Sequence, residues 1–180
     1  MIRKIFLAAF VVIVALVSKA QDDYGLWTLH PIFSGENITR CVDTGDKVCY
    51  LVSNNLFCYD KKTQENEHLS RTNYLNDTGV SNIYYNPSKK YIMVAYVNSN
   101  IDVIDVGSGN VYNISDIKES DITTSKVIND ITFADGNKAV AATDFGYLIL
   151  DDDKLEVITS LRCDEAMASA MILGDFLVVN

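Results

Sequence analysis

The side chains that could act in acid–base, nucleophilic or metal chemistry are few and stand far apart in this sequence. His30 and His68 are the only histidines, and neither belongs to a catalytic motif. Serine-nucleophile, phosphate-loop and zinc-protease motifs are absent from the chain. The acidic run 151–153 has hard oxygen ligands but lacks the alternating spacing of a calcium loop, which favours a solvated hairpin tip. The sequence therefore predicts no catalytic residue, no metal site and no cofactor.

Residues suited to molecular recognition are more numerous. An aromatic ring among amides and charges of both signs is typical of a site for a sugar or a peptide loop. Tyr74, in the segment RTNYLNDTG, is the central candidate. The predicted binding residues are Arg71, Asn73, Tyr74, Asn98, Asn100, Lys118 and Asp144, with Asn76 and Glu119 beside them. The alternative interpretation is that all of them are ordinary turn residues.

The strands that would position these residues are predicted from a repeat in the sequence. Asp60, Asp105 and Asp151 each end an apolar run, at intervals of 45 and 46 residues. Within each interval, four runs rich in Val, Ile, Tyr and Phe alternate with gaps rich in Asn, Asp, Gly and Ser. This pattern is typical of short strands joined by hairpin turns. The second run of each unit is almost continuously apolar, as YIMVAY shows, which indicates a strand packed between neighbouring units.

Four antiparallel strands in a repeat of this length are typical of a propeller blade. We therefore predict an all-β fold, an incomplete β-propeller of about three and a half blades. The predicted blades lie at 38–70, 80–115 and 128–160, with the start of a fourth at 166–180. A β-sandwich needs no such period and a β-solenoid has shorter repeats, so both are weaker alternatives. Propellers close with about four to eight blades, so we expect a longer protein of which this is the N-terminal piece.

A propeller also explains how the predicted binding residues could form one site. The links between blades and the loops between second and third strands meet on one face of that fold. The segment around Tyr74 lies in such a link, and Asn98 lies in such a loop. We therefore expect the binding residues on this face.

The N-terminal residues predict export. Arg3 and Lys4 precede the thirteen apolar residues from Ile5 to Val17, and small residues at 18 and 20 favour cleavage before Gln21. An uncleaved membrane anchor is the alternative, but thirteen helical residues span only about 20 Å. We predict a signal peptide at 1–20, a lead-in strand at 21–37, and a mature chain without a transmembrane segment in the periplasm or at the cell surface.

The charge balance argues against one class of partner. The chain has 15 basic and 24 acidic residues, a formal net charge of −9. Loss of residues 1–20 removes three basic and no acidic residues, which brings the net charge to about −12. Because nucleic-acid binding needs a basic surface, the sequence predicts no nucleic-acid partner.

Four cysteines remain in the predicted mature chain: Cys41, Cys49, Cys58 and Cys163. They form no C-x-x-C pair and no zinc-type cluster with histidine. Three lie within apolar alternation, which favours buried thiols that pack as small hydrophobic side chains. Export also permits disulfides. A turn at Asn54–Asn55 would make Cys49 and Cys58 diagonal neighbours on one sheet face, so a bridge between them is the alternative.

The segment YLNDTGVSNIYYNPSKKYIMVAYVNSNIDVID resembles the propeller repeats of exported Bacteroidetes sensors, the two-component-regulator propellers. The positions that match the repeat pattern are Leu75, Asp77, Val80, Ile83 and Asp105, followed in the next unit by Thr143, Gly146 and Asp151. Asn76 stands where the family has Ser, and the tryptophan common in the second strand of that family is missing. The opening WTLHPIFSGENITRCVDTGDKVCYLV narrows the resemblance to the N-terminal propellers of the PorZ family, over about residues 27–180.

This resemblance implies a function. In the PorZ family the propellers belong to an outer-membrane attachment complex of the type IX secretion system, which processes exported cargo and links it to lipopolysaccharide. The propeller half is non-enzymatic, so the implied role is an exported scaffold that binds protein partners of that complex or a surface glycan. The alternative is the periplasmic ligand-sensing propeller of a hybrid two-component regulator. A propeller lyase or hydrolase is disfavoured, since the sequence offers no acid–base pair.

Overall fold

The computed structural model describes residues 37–163 and 165–180. The predicted signal peptide at 1–20 lies outside the described residues, as does the predicted lead-in strand at 21–37 apart from its last residue. The described chain contains fourteen strands and one short helix. Within these residues, no helix has the length and apolar character needed to cross a bilayer.

The strands form antiparallel sheets in which each strand pairs with the next one along the chain. Blade 1 contains β1 (Ile38–Asp43), β2 (Lys47–Val52), β3 (Asn55–Asp60) and β4 (Asn66–Leu69). Blade 2 contains β5 (Val80–Asn86), β6 (Tyr91–Tyr96), β7 (Ile101–Asp105) and β8 (Val111–Ile114). Blade 3 contains β9 (Ile128–Ala134), β10 (Lys138–Thr143), β11 (Gly146–Asp151) and β12 (Glu156–Arg162). Two strands of a fourth sheet follow, β13 (Ala170–Leu173) and β14 (Phe176–Val179), and the helix α1 (Asp116–Glu119) lies between blades 2 and 3. The predicted all-β, incomplete propeller is confirmed.

The repeated aspartate caps the turn between the third and fourth strands of each blade. Oδ1 of Asp60 accepts hydrogen bonds from the backbone N–H groups of residues 62 and 63, at 2.8 and 3.0 Å. Oδ1 of Asp151 accepts the equivalent bonds from residues 153 and 154, both at 2.9 Å. Oδ1 of Asp105 accepts from the backbone N–H and the hydroxyl of Ser108. The period of the sequence therefore reflects a turn that needs a short side-chain acceptor at its first residue.

The β2–β3 hairpin corrects the predicted pairing of the cysteines. Its two turn residues are Ser53 and Asn54, with φ of 46° and 61°, rather than Asn54 and Asn55. Positive φ at both positions gives a turn whose twist matches that of the strands. Cys49 consequently lies directly opposite Cys58, not diagonal to it. The two form a disulfide with Cα atoms 4.0 Å apart, so the favoured interpretation of both as free buried thiols was wrong.

The cores lie between neighbouring blades. The core between blades 1 and 2 includes Leu51, Leu56 and Val94, and the core between blades 2 and 3 includes Met93 and Leu148. In blades 2 and 3 the second strands contribute most, since all of β6 and five of the six residues of β10 are buried. The fourth strand β12 is largely exposed. The burial of β6 and β10 and the exposure of β12 follow from packing each sheet between two neighbouring sheets, as the apolar second runs predicted.

Because consecutive strands are antiparallel, the connections between them lie at two opposite ends of the blades. We call the upper end the one that carries the turns between second and third strands together with the links between blades. Hydrogen bonds join these segments there: the Ser99 hydroxyl donates to the Lys126 carbonyl at 2.6 Å, and the Cys163 N–H donates to the Phe145 carbonyl at 2.9 Å. The lower end carries the other two turns of each blade.

Candidate functional site

Three of the predicted binding residues converge on the carboxylate of Asp77 at the upper end. Asp77 lies in the link between blades 1 and 2, and its Oδ2 accepts from Asn98 Nδ2 at 2.6 Å and from Lys118 Nζ at 2.7 Å. Asn100 Nδ2 is 3.5 Å from the same oxygen. Asn98 and Asn100 come from the β6–β7 turn and Lys118 from α1, so three separate segments meet. We call these four residues the Asp77 cluster.

The positive charge of Lys118 stabilises the ionised carboxylate of Asp77 in this cluster. The Lys118 ammonium group, and then the Asn98 amide, lower the pKa of Asp77 to about 2. The Asp77 side chain is 15% exposed and that of Lys118 is 43% exposed. Asn100 is buried, whereas Asn98 is exposed. Asn98 and Lys118 are therefore the members that a partner can reach, while Asn100 and Asp77 position them.

A second carboxylate, on Asp102, holds the link that carries Asp77. Asp102, on β7, has no exposed surface. It accepts hydrogen bonds from the Tyr96 phenol, from the backbone and side chain of Asn76 at 2.8 and 2.9 Å, and from Asn113 Nδ2 at 2.7 Å. Burial, and next the bond to Asp102, raises the pKa of Tyr96 far above its ordinary value. Asn76, an exposed residue, thus fixes the link through its two bonds to Asp102.

The segment from Arg71 to Tyr74 lies in the same link but makes different contacts. Asn73 closes a turn, since its Oδ1 accepts from the Ser70 N–H at 2.7 Å and its Nδ2 donates to the His68 carbonyl at 2.9 Å. Arg71 is exposed. Tyr74 is 39% exposed, and the charge of Glu67, with which it hydrogen bonds, raises its pKa.

The ring of Tyr74 lines a narrow groove between blades 1 and 2. Leu69, Ile92 and the Cys49–Cys58 disulfide contribute to its walls, which are largely apolar, and its lining extends to the lower-end turns at Thr44 and Gly109. We call this the Tyr74 groove. Tyr74 therefore does not belong to the Asp77 cluster, although both sit on the link between the same two blades.

Asp144 forms a third group, at the upper end of blade 3. It accepts hydrogen bonds from the Ser125 hydroxyl and from Asn129 Nδ2, the latter at 2.9 Å, and these bonds lower its pKa. Asn129 also donates to the Met167 carbonyl at 2.9 Å. Asp144 thus ties blade 3 to the segment that leads into β13, and it stands apart from the Asp77 cluster.

The reachable side chains of these groups offer hydrogen-bond donors, a positive charge and an aromatic ring. Within 37–163 and 165–180, no group of three or more His, Cys, Asp or Glu side chains is arranged to hold a metal ion. His68 stacks on Phe57 with ring centroids 4.7 Å apart, in keeping with a packing role, and His30 lies outside the described residues. Sequence reasoning missed Asp77 as the centre of the cluster, although Asp77 does match the repeat pattern. No local signal marked Ser125 or Asn129.

Comparison with known proteins identifies the family. The sequence model described as "TSS9, PorZ, N-terminal beta-propeller domain" matches residues 48–180. A search of curated protein sequences gave no significant match. Among solved structures, PorZ, described as an essential bacterial surface component of the type IX secretion system of Porphyromonas gingivalis, is 25% identical with a TM-score of 0.73. That similarity covers 83% of this chain and 20% of the PorZ chain.

More distant structures share the fold. The extracellular domain of BT4673 from B. thetaiotaomicron, a one-component or hybrid two-component system, is 15% identical with a TM-score of 0.64, over 84% of this chain and 20% of its own. AztD of Citrobacter koseri is 16% identical with a TM-score of 0.56, over 77% of this chain and 39% of its own. The chain spans about a fifth of the PorZ and BT4673 chains. Because the family match covers most of its length, the chain belongs to the family of PorZ N-terminal β-propeller domains of the type IX secretion system.

Proposed function

We propose that this chain is an exported, non-enzymatic β-propeller that serves as a scaffold for a protein or glycan partner in a type IX secretion complex at the cell surface. The observation that carries the proposal is the family match over residues 48–180. The 25% identity to PorZ of P. gingivalis, a surface component of that system, supports it. The chain spans 20% of that protein, so the role of the whole assembly is part of the proposal.

Export is supported from two sides. The basic residues Arg3 and Lys4, the apolar run from Ile5 to Val17 and the small residues before Gln21 have the order of a signal peptide. The BT4673 domain with the same fold is described as extracellular, and PorZ as a surface component. We therefore place the mature chain in the periplasm or at the outer membrane.

We propose that the partner binds at the upper end, on the link between blades 1 and 2. The Tyr74 ring and the exposed Arg71 beside it are of the residue types that dominate binding energy at interfaces. Lys118 and Asn98 of the Asp77 cluster add donors that are already held in place by Asp77. Rigid donors lose less entropy on binding, which favours them as contacts.

The test uses the full-length protein, affinity-tagged and expressed in its own host. Tyr74→Ala and Arg71→Ala should lower recovery of the surface-complex subunits at least about tenfold, with the melting temperature unchanged. The matched controls are Tyr59→Ala, a tyrosine that is 37% exposed on β3, and Lys62→Ala in a lower-end turn. If both upper-end variants recover the complex as the wild type does, the binding surface is wrong and only the scaffold role remains. If the wild type recovers no secretion component, the scaffold role fails as well.

A sensing role is the second candidate. It is favoured by the similarity to the extracellular domains of BT4673 and of BT3049, both described as hybrid two-component systems of B. thetaiotaomicron. A membrane helix and a kinase domain encoded after residue 180 would support sensing, whereas further blades and a small β-sandwich would support the secretion complex. Fractionation of the full-length protein separates the two roles, because a sensor remains with the inner membrane and a secretion component with the outer membrane.

A further inference from the structure

The Tyr74 groove runs along the interface between blades 1 and 2, from one end of the blades to the other. Tyr74 lies on the link at the upper end, and Thr44 and Gly109 lie in turns at the lower end. The strands in between, such as β2, have six residues, which span about 20 Å at roughly 3.3 Å per residue. A groove of this shape suits an extended polypeptide segment.

The floor of the groove is apolar and its position is fixed. Leu69, Ile92 and Ile104 belong to the core between the two blades, and each has at most 7% of its surface exposed. The Cys49–Cys58 disulfide completes this floor and joins its two strands covalently. Because these side chains are held by the core, a group that enters the groove meets a surface that is already formed.

The rim of the groove is open to solvent. Tyr74 is 39% exposed, and Lys47 and Glu67 are partly exposed. The void that they border is open rather than enclosed. The Tyr74 phenol hydrogen bonds with Glu67, which holds the ring at the edge of the groove. A side chain from outside the protein can therefore pass the rim and contact the apolar floor.

The volume of the void limits what it can hold. It is about 80 Å³. Pockets for whole ligands have about 300 Å³ or more, and a void of about 150 Å³ holds a benzene ring. The groove is therefore too small for a sugar residue or an aromatic side chain, and it fits one branched aliphatic side chain.

The charges around the groove favour acidic residues on both sides of that aliphatic side chain. Glu67 is bonded to Tyr74, and Asp105 caps its own turn. By contrast, neither Lys47 in the groove nor the exposed Arg71 near Tyr74 forms an ion pair in the part of the chain that the structure describes. Carboxylates of a partner can pair with these two cations without displacing another residue.

We propose that the Tyr74 groove binds an extended acidic segment of a partner polypeptide, with one leucine side chain inserted against the Cys49–Cys58 disulfide. Carboxylates on the two sides of that leucine pair with Arg71 and Lys47. An aliphatic anchor in a fitted pocket, surrounded by polar contacts, concentrates binding energy in a few residues. The inference rests on the proposed function, since it names the chemistry of the partner that binds at this link.

The first test compares four synthetic peptide amides on the full-length protein by ligand-observed NMR titration. The reference peptide is Asp-Asp-Ser-Leu-Ser-Asp-Asp. Alanine in place of the leucine should weaken binding at least about tenfold, because three buried carbon atoms are lost. Tryptophan at that position should bind no better than alanine, and lysines in place of the aspartates should weaken binding at least about tenfold. Equal binding of the leucine and alanine peptides, or tighter binding of the lysine peptide, would overturn the assignment.

Two protein variants test whether the peptide binds in this groove. Val106→Phe adds a ring to a partly buried lining residue, so it should fill the void and weaken the reference peptide at least about tenfold without lowering the melting temperature. Arg71→Glu changes an exposed side chain, so it should keep the fold, weaken the reference peptide and strengthen the lysine peptide. The matched control is Lys138→Glu, an exposed lysine on β10 outside the groove, which should change neither. Unchanged binding in both groove variants would place the peptide elsewhere and refute the proposal.

The peptide experiment and the recovery of secretion subunits can fail independently. If the leucine peptide binds as expected but the tagged protein recovers no secretion subunit, the groove assignment stands and the secretion role fails. If the subunits are recovered through Tyr74 while the four peptides bind alike or none binds, the secretion role stands and this inference is wrong.

Discussion

The phenol of Tyr96 donates a hydrogen bond to the carboxylate of Asp102, and neither residue has more than 1% of its surface exposed. Asp102 also accepts from Asn76, in the link from blade 1, and from Asn113 on β8. The buried carboxylate of Asp102 thus connects the link with the second and fourth strands of blade 2. The donors around Asp102 offset the cost of burying its carboxylate, so the stability of blade 2 depends on them.

Asp102→Ala should therefore destabilise the propeller strongly. It leaves the Tyr96 hydroxyl and the two N–H donors of Asn76 without this acceptor and removes one of three acceptors of Asn113 Nδ2. We expect a loss of about 3 kcal/mol or more in the free energy of unfolding. Denaturant unfolding of the full-length protein measures the loss. The control Asp121→Ala removes a carboxylate that is 89% exposed and paired with Arg162, and it should cost less than about 1 kcal/mol. Similar losses in the two variants would contradict the role of Asp102.

The Cys49–Cys58 disulfide should be detectable by peptide mapping. In denatured, unreduced protein, the peptides that contain Cys41 and Cys163 should react with an alkylating reagent, because both thiols are free. The peptides with Cys49 and Cys58 should react only after reduction. Alkylation of either of them without reduction would show that the bridge is absent. The Cys49→Ala/Cys58→Ala double variant should lose about 2–3 kcal/mol of stability, the value that loop closure predicts for a separation of 9 residues.

Asp77 should make the stability of the propeller depend on acid pH. Lys118 holds its pKa at about 2 in the folded state, against about 3.9 in an unfolded chain. A lowered pKa stabilises the fold above the unfolded value, and the contribution is lost as the pH falls from about 4 towards 2. The difference in unfolding free energy between the wild type and Asp77→Asn should therefore shrink across this window. A constant difference would contradict the assigned pKa, and Asp135→Asn serves as the exposed control.

Gly146 should not tolerate a side chain. It begins β11 with φ of +131°, and a Cβ there would lie 2.0 Å from the carbonyl oxygen of Leu161 on β12. Gly146→Ala must separate two paired strands, so we expect a loss of several kcal/mol, about 3 or more. The control Gly107→Ala places its Cβ at 3.5 Å from the Asp105 carboxylate and should change stability by less than about 1 kcal/mol. Thermal melting of both variants measures the contrast, and equal melting temperatures would refute it.

The strands of this fold could be predicted because their signals are local. The runs VSNIYY and YIMVAY correspond to β5 and β6, and the aspartates at 60, 105 and 151 all cap the same kind of turn. Alternation, turn residues and repeat length depend on the order of residues along the chain, so they can be recognised without a structure. The cysteine pairing was less predictable, because Ser53, Asn54 and Asn55 are all competent turn residues and a shift of one position changes every partner.

The candidate sites depended on contacts that no local pattern encodes. Asn98, Asn100 and Lys118 were predicted as binding residues, but the carboxylate that joins them, Asp77, was not, and Tyr74 lies in a groove of its own. The partner of Asn86, Asp152, is 66 residues away in the next blade. The sequence by itself determined the blades, since short-range periodicity specifies which strand faces each core. Only the tertiary structure decided which turns meet and which carboxylates are buried, because burial and hydrogen bonding depend on how one blade packs against the next.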